Sequence, residues 1–219
     1  METKKLINNF VFLFIAGGSC SGKSFLADAI KAYFLNTSII RQDWYYKKIQ
    51  FQEDDDTLER FEAFDLLLLF DNIRKIINNE KVLLPTYSYK LHRRINLKRP
   101  LNKRSRVIVI EGLYAIKISE ILKGKKWFNN IPYLNIFVDV QEKTMIERRV
   151  KRDLIRTNQG ENDIISQMNN YVLPTFRKYI KSQKKDAKIV FRNNSNIAIQ
   201  NNKSFLDIIA FMHKVLYPG

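Results

Sequence analysis

The chain has a single cysteine, Cys20, so no internal disulfide can form and a reducing compartment, the cytoplasm, is expected. No apolar run approaches the roughly 18 residues of a membrane-spanning helix, so no membrane partner is expected. Gly/Ser/Pro-rich linkers, internal repeats and long low-complexity tracts are absent. A chain of 219 residues is then expected to form one domain, 1–219, with a sizeable core. Acidic residues are scarce: 22 Asp and Glu face 38 Lys and Arg, a net charge of +16. That excess admits nucleic acid or an anionic membrane surface as a partner. It equally suits an Asn-, Lys- and Ile-rich coding bias combined with small polyanionic substrates. The densest basic stretch runs from Lys81 to Arg106, nine basic residues without an acidic one, with Tyr87 and Tyr89 at strand spacing. Nucleic acid is not the expected main partner, because the rest of the chain reads as an enzyme.

Glycine is scarce too. Of seven glycines, three fall within six residues, in "FIAGGSCSGKSFLAD" at 14–28. Glycine suits places where backbone approaches something closely or takes positive φ. Gly17-x-x-x-x-Gly22-Lys23-Ser24 fits the phosphate-binding loop pattern, in which backbone N–H groups and a helix N-terminus cradle phosphates. The lysine then reaches the β/γ oxygens and the hydroxyl serves Mg²⁺. The context agrees: a β-prone run at 10–15 precedes the loop, and Phe25, Leu26, Ala29, Ile30 and Phe34 follow at helical spacing. A secretory signal behind Lys4 and Lys5 is the competing reading. Its apolar core of seven residues, Phe10 to Ala16, is short and leads straight into Gly-Lys-Ser.

Periodicity places strands at 10–16, 37–41, 82–90, 106–110, 134–138 and 188–191. Helices fall at 22–34, 58–79, 114–122, 142–156, 161–183 and 203–216. Such alternation predicts an α/β fold of the P-loop NTPase type: a mostly parallel sheet, helices on both faces, ligands at the carboxyl ends of the strands. Region 85–106 breaks the alternation and is expected to form a hairpin or loop excursion over the binding face. The first polar residues after strands are then informative. Asp43, Glu111 and Asp139 follow three of them. Glu111 is preferred over Asp139 because Gly112 beside it leaves room for a ligand, whereas Asp139 reads as a cap for 142–156. Ser24 with one or two carboxylates suffices for Mg²⁺, which keeps several waters. Arg148, Arg152 and Arg156 lie on one face of the 142–156 helix, beside Arg149. In a phosphoryl-transfer enzyme such a helix closes over the γ-phosphate.

Taken in order, these blocks resemble the uridine–cytidine kinase family of P-loop nucleoside kinases. "GGSCSGKS" resembles that family's loop, "QDWYY" its Gln-Asp-Ser-Phe-Tyr, and "LPTYSYKLHRR" its Pro-x-Tyr-Asp-Phe-x-x-His-x-Arg. "VIVIEGLYA" is similar to its Glu-Gly-Ile block, and "FVDVQEKTMIERRVKRD" to its Arg-Arg-x-x-Arg-Asp lid helix. The resemblance implies ATP or GTP as phosphoryl donor and the 5′-hydroxyl of uridine or cytidine as acceptor. It implies catalytic roles for Asp43, as base, and for Lys23 and Arg152. Gly17, Gly18, Ser19, Cys20, Ser21, Gly22, Lys23, Ser24, Phe25 and Arg152 would hold the triphosphate, and Ser24, Asp43 and Glu111 the Mg²⁺. Asp43, Glu59, Tyr87, His92, Arg149 and Gln167 would hold the nucleoside, with 85–106 as base-binding hairpin and 142–160 as lid. A homo-oligomer, a tetramer, is also implied. Two blocks depart from the family. "TLERFEAFD" stands for Asn-Phe-Asp-His-Pro-Asp-Ala-Phe-Asp, with Glu59 at the place of the ribose aspartate. Thr157-Asn158-Gln159 stands for the lid's Arg-Gly-Arg. Related kinases of nicotinamide riboside, ribulose 5-phosphate or pantothenate, and a basic nucleic-acid-binding NTPase, are the alternative readings.

Overall fold

The computed structural model describes residues 10–47, 60–88, 91, 93–194 and 198–218. β1 (Val11–Gly17) is buried at every position, which explains its unbroken apolar sequence: neighbours flank both edges and helices cover both faces. It pairs in parallel with β5 (Val107–Glu111) on one side and β6 (Tyr133–Asp139) on the other. β2 (Thr37–Arg41) and β7 (Ile189–Arg192) complete a five-stranded parallel sheet of order β2-β5-β1-β6-β7.

Alternation along β1 divides the core in two. Phe12, Phe14 and Ala16 face a layer built by α2 (Leu66–Ile77), α3 (Ala115–Lys123) and the segment around Met168 to Ile180. Val11, Leu13 and Ile15 face α1 (Lys23–Tyr33) and the C-terminal helix (Lys203–Leu216), whose Phe205, Ile208, Ile209, Met212 and Leu216 make one apolar stripe.

Two expectations change, and the excursion expected at 85–106 is a hairpin. The 58–79 helix begins only at Leu66, because the Asp65 carboxylate accepts the Leu68 N–H at 3.1 Å and caps it; a 3₁₀ turn, Phe61–Ala63, precedes. Residues 58 and 59 lie outside the described residues. The strand expected at 82–90 stands apart from the parallel sheet: β3 (Leu83–Ser88) pairs antiparallel with β4 (Arg93–Pro100), with a register shift at Pro85, which has no N–H to donate. The 161–183 helix is interrupted. α4 (Glu142–Arg156) is followed by α5 (Glu161–Gln167), which widens into π turns at Met168–Val172 and Phe176–Ile180 around the short α6 (Leu173–Thr175). It ends as 3₁₀ turns, Lys181–Asp186. Pro174 within it lacks an N–H and crowds the preceding turn, which accounts for the widening. The final helix, Lys203–Leu216, is α7.

Candidate active site

The loop leaves β1 at Gly17 (φ 155°) and enters α1 through Gly22 (φ 103°), with Cys20 left-handed between them (φ 58°). A side chain at Gly17 would stand 2.7 Å from the Val138 carbonyl and 2.8 Å from Ser21 Oγ. One at Gly18 would meet Met145 Sδ at 2.6 Å, and one at Gly22 would run into the Asn193 amide. Neighbouring elements press on the loop from several sides, so glycine is required there. Lys23 folds back and donates to the Gly18 carbonyl at 2.8 Å, closing a ring of backbone. Phe25 is exposed in the first turn of α1, and Ser21 Oγ is buried without a partner among the described residues.

Two carboxylates reach the loop from the ends of β2 and β5. In register, Glu111 stands beside both Ile15 and Arg41. It is 6% exposed, accepts the Ser24 hydroxyl at 3.0 Å and lies 3.5 Å from Arg41 Nε. Burial pushes its pKa above the ordinary carboxylate value, Lys23 opposes this, and Asp43 adds to it. Asp43 sits in the 3₁₀ turn Gln42–Tyr45 that follows β2, and its charge is felt at Glu111, Tyr87 and Arg152. Ser24 and Glu111 are an oxygen pair suited to a hard cation. No cluster of three His, Cys, Asp or Glu occurs among the described residues, and a Mg²⁺ that keeps its waters needs none. Asp139 is engaged elsewhere: Lys184 donates to it at 2.7 Å. It caps nothing, since Gln141 is the N-cap of α4.

The arginines of α4 reach across to the loop. Arg148 donates to the Ser21 carbonyl (3.3 Å) and the Asn193 carbonyl (2.9 Å), while the Asn193 amide donates to the same Ser21 oxygen at 2.8 Å. Arg149 donates to Ser19 Oγ (3.1 Å), to Gln167 Oε1 (3.3 Å) and to Asp153. Arg152 donates to Asp153 Oδ1 at 2.7 Å. Burial alone would raise the Asp153 carboxyl, but the two guanidinium groups hold it below the usual range. Arg156 is exposed. Thr157, where the lid motif of the resemblance begins to differ, ends α4, its backbone and hydroxyl both donating to the Asp153 carbonyl.

Tyr87, on β3, is buried with its ring centroid 5.5 Å from that of Tyr46. Burial, with Asp43 nearby, raises its phenol pKa. Glu59 and His92 lie outside the described residues. The structure therefore gathers Lys23, Ser24, Asp43, Glu111, Tyr87, Arg149, Arg152 and Gln167 at one edge of the sheet. Sequence reasoning missed Gln42, Asn193 and Asp153. Asp153 carried a signal, four residues after Arg149 and one after Arg152; Asn193, a lone polar residue after β7, carried none.

The model of the Phosphoribulokinase / Uridine kinase family matches residues 12–200. The uridine kinase of Staphylococcus haemolyticus is 30% identical over 207 residues, 92% of this chain and 94% of that one. The uridine kinase of Bacillus mycoides is 31% identical over 189 residues, 84% and 85% of the two chains. In fold, D-glycerate 3-kinase from Cryptococcus neoformans superimposes with a TM-score of 0.58 at 13% identity, covering 84% of this chain and 86% of that one. With its phosphate loop, parallel sheet and arginine-bearing helix, the chain is a kinase that belongs to the phosphoribulokinase / uridine kinase family.

Proposed function

We propose that this kinase transfers the γ-phosphoryl group of ATP or GTP to the 5′-hydroxyl of uridine or cytidine. The observation that carries the reading is that the turn bearing Asp43 leaves β2 at Arg41, which is in register with Glu111, the carboxylate that accepts the Ser24 hydroxyl of the phosphate loop. Relatives named uridine kinase support the acceptor. Lys23 and the loop N–H groups bind the triphosphate. Ser24 and Glu111, with Asp43 beside them, would hold Mg²⁺, which when bound neutralises charge on the phosphate oxygens. Asp43 orients the acceptor hydroxyl and takes its proton. Arg149, already in contact with Gln167, turns with it to the nucleoside, and Arg152 meets the charge that develops on the transferred group. Tyr87 and His92 would read the base and Glu59 the ribose.

One observation favours a second reading, an acceptor that is itself anionic, such as a sugar phosphate. A cleft of about 400 Å³ beside Tyr87 is lined by Lys31, Arg41, Trp44 and Arg99, with Asp28 paired to Arg41 as its one carboxylate, an excess of positive charge that a neutral nucleoside does not require. A coupled phosphorylation assay over nucleosides, vitamins and sugar phosphates separates the two; turnover of uridine and cytidine above the others is expected. Lys23→Ala and Asp43→Asn should keep the fold and lose turnover, Asp43→Asn by about 10²–10⁴ in kcat with little change in KM. Near-normal kcat in folded Asp43→Asn protein would remove Asp43 from the base role.

A further inference from the structure

Gln42 has no part in the reading above, on which this inference rests for the roles of Asp43 and Glu111. Its side chain is fully buried, at 0% exposure, although it is a polar residue beside the reacting groups. Its Oε1 accepts the backbone N–H of Tyr114 at 2.9 Å, across 72 positions of chain. Its Nε2 has no partner among the described residues. The stem lies so close over Gly112 that any Cβ there would collide with Gln42 Cβ and Oε1. The Gly112 N–H in turn donates to the Ile15 carbonyl at 3.1 Å, on the strand that feeds the phosphate loop.

Gln42 therefore lies between the two segments that carry the site carboxylates. Asp43 follows it in sequence, and Glu111 precedes the glycine it covers. Its two contacts, the bond from the Tyr114 N–H and the stem over Gly112, span the gap between those segments. A leucine would fill the space without leaving a buried amide nitrogen unpaired. What the amide adds is the acceptor for Tyr114, at the N-cap of α3. We infer that Gln42 is a positioning residue that sets the 111–114 turn against Asp43, so that Glu111 presents its oxygen to the metal beside Ser24.

The test is calorimetric titration of the whole protein with ATP, with and without Mg²⁺, which reads metal placement without any acceptor. Wild type is expected to bind ATP more tightly with Mg²⁺. Gln42→Leu takes the acceptor from the buried Tyr114 N–H, so a modest fall in melting temperature is expected; the metal-free affinity should hold, while the Mg²⁺-dependent gain falls by about tenfold, the scale of outer-shell metal effects. A folded Gln42→Leu protein with the full gain overturns the proposal, and so does an equal fall in metal-free affinity, which marks a merely structural role. Should Gln42→Leu not fold, Gly112→Ala and Gln42→Ala should each lose the gain and the double variant lose no more; additive losses overturn the proposal. A wild type without any gain removes the metal role of Glu111, and this inference with it. That outcome differs from one in which only the variants behave as wild type.

Discussion

Ionising Glu111 costs free energy. A carboxyl whose pKa is higher folded than unfolded binds more protons in the folded state between the two values. Stability therefore falls as pH rises through that window, and ionised Glu111 subtracts from the stability of the ligand-free protein at neutral pH. Glu111→Gln keeps the shape and removes the charge. It is expected to melt above wild type at neutral pH, by a margin that shrinks as pH falls towards the ordinary value of 4.5. Thermal melts at several pH values read this, and a Glu111→Gln protein that melts lower at neutral pH contradicts it. Activity should be lost in the same variant, because a group strained for function stabilises when neutralised.

Among the elements, α4 carries the arginines proposed to meet the transferred group. Its Arg149 and Arg152 share one buried carboxylate, Asp153, and its Arg148 and Arg149 are hydrogen-bonded to the phosphate loop. Asp153 therefore aligns both arginines. Asp153→Ala should cost about 2 kcal/mol of stability, the scale of a charge-assisted hydrogen bond to partly exposed guanidinium groups. Chemical denaturation measures that loss. If the aligned arginines serve the transition state, kcat falls more than the affinity for ATP; equal losses in both would leave Asp153 a structural role only. The hairpin is tied down in a similar way. Arg94 on β4 pairs with Asp65 at 3.1 Å, and the Arg99 guanidinium lies 5.2 Å from the centre of the Trp44 ring.

Over the whole molecule, the charge of +16 invites a nucleic-acid reading, and the hairpin contacts weaken it. Of the nine cations between Lys81 and Arg106, Arg94 and Arg99 are engaged as above. Arg106 donates to the Leu216 carbonyl at 2.6 Å and lies over the Tyr217 ring. Those three cations are committed to protein partners and not held out for a phosphate backbone. Uridine affinity measured by titration should therefore stay nearly constant between about 50 and about 200 mM salt, whereas affinity carried by several phosphate contacts would fall by orders of magnitude. A steep salt dependence together with tight RNA binding would favour the alternative. No helix among the described residues is long and apolar enough to cross a membrane.

The sequence by itself determined the sheet, the phosphate loop and the positions of Asp43 and Glu111, because those features depend on local order. An apolar run of β type reports a buried strand, a glycine pattern reports close approach, and the first polar residue after a strand lies at its carboxyl end. The bounds of α4 were equally readable, since its pattern is amphipathic over fifteen residues and meets no proline. What only the tertiary structure decided depends on partners distant in sequence. Gly112 already favoured Glu111 over Asp139 in the sequence, but what engages Asp139, Lys184 at 45 positions' distance, only the fold shows. The late start of α2 rested on a cap bond from Asp65, and the break in the 161–183 helix on how the chain relaxes around Pro174. The role of Gln42 was invisible for the same reason: a glutamine in a matching block has no assigned task until its carbonyl meets the Tyr114 N–H and its stem covers Gly112. Spacing along the chain says which groups a strand end carries; only packing says which of them face one another.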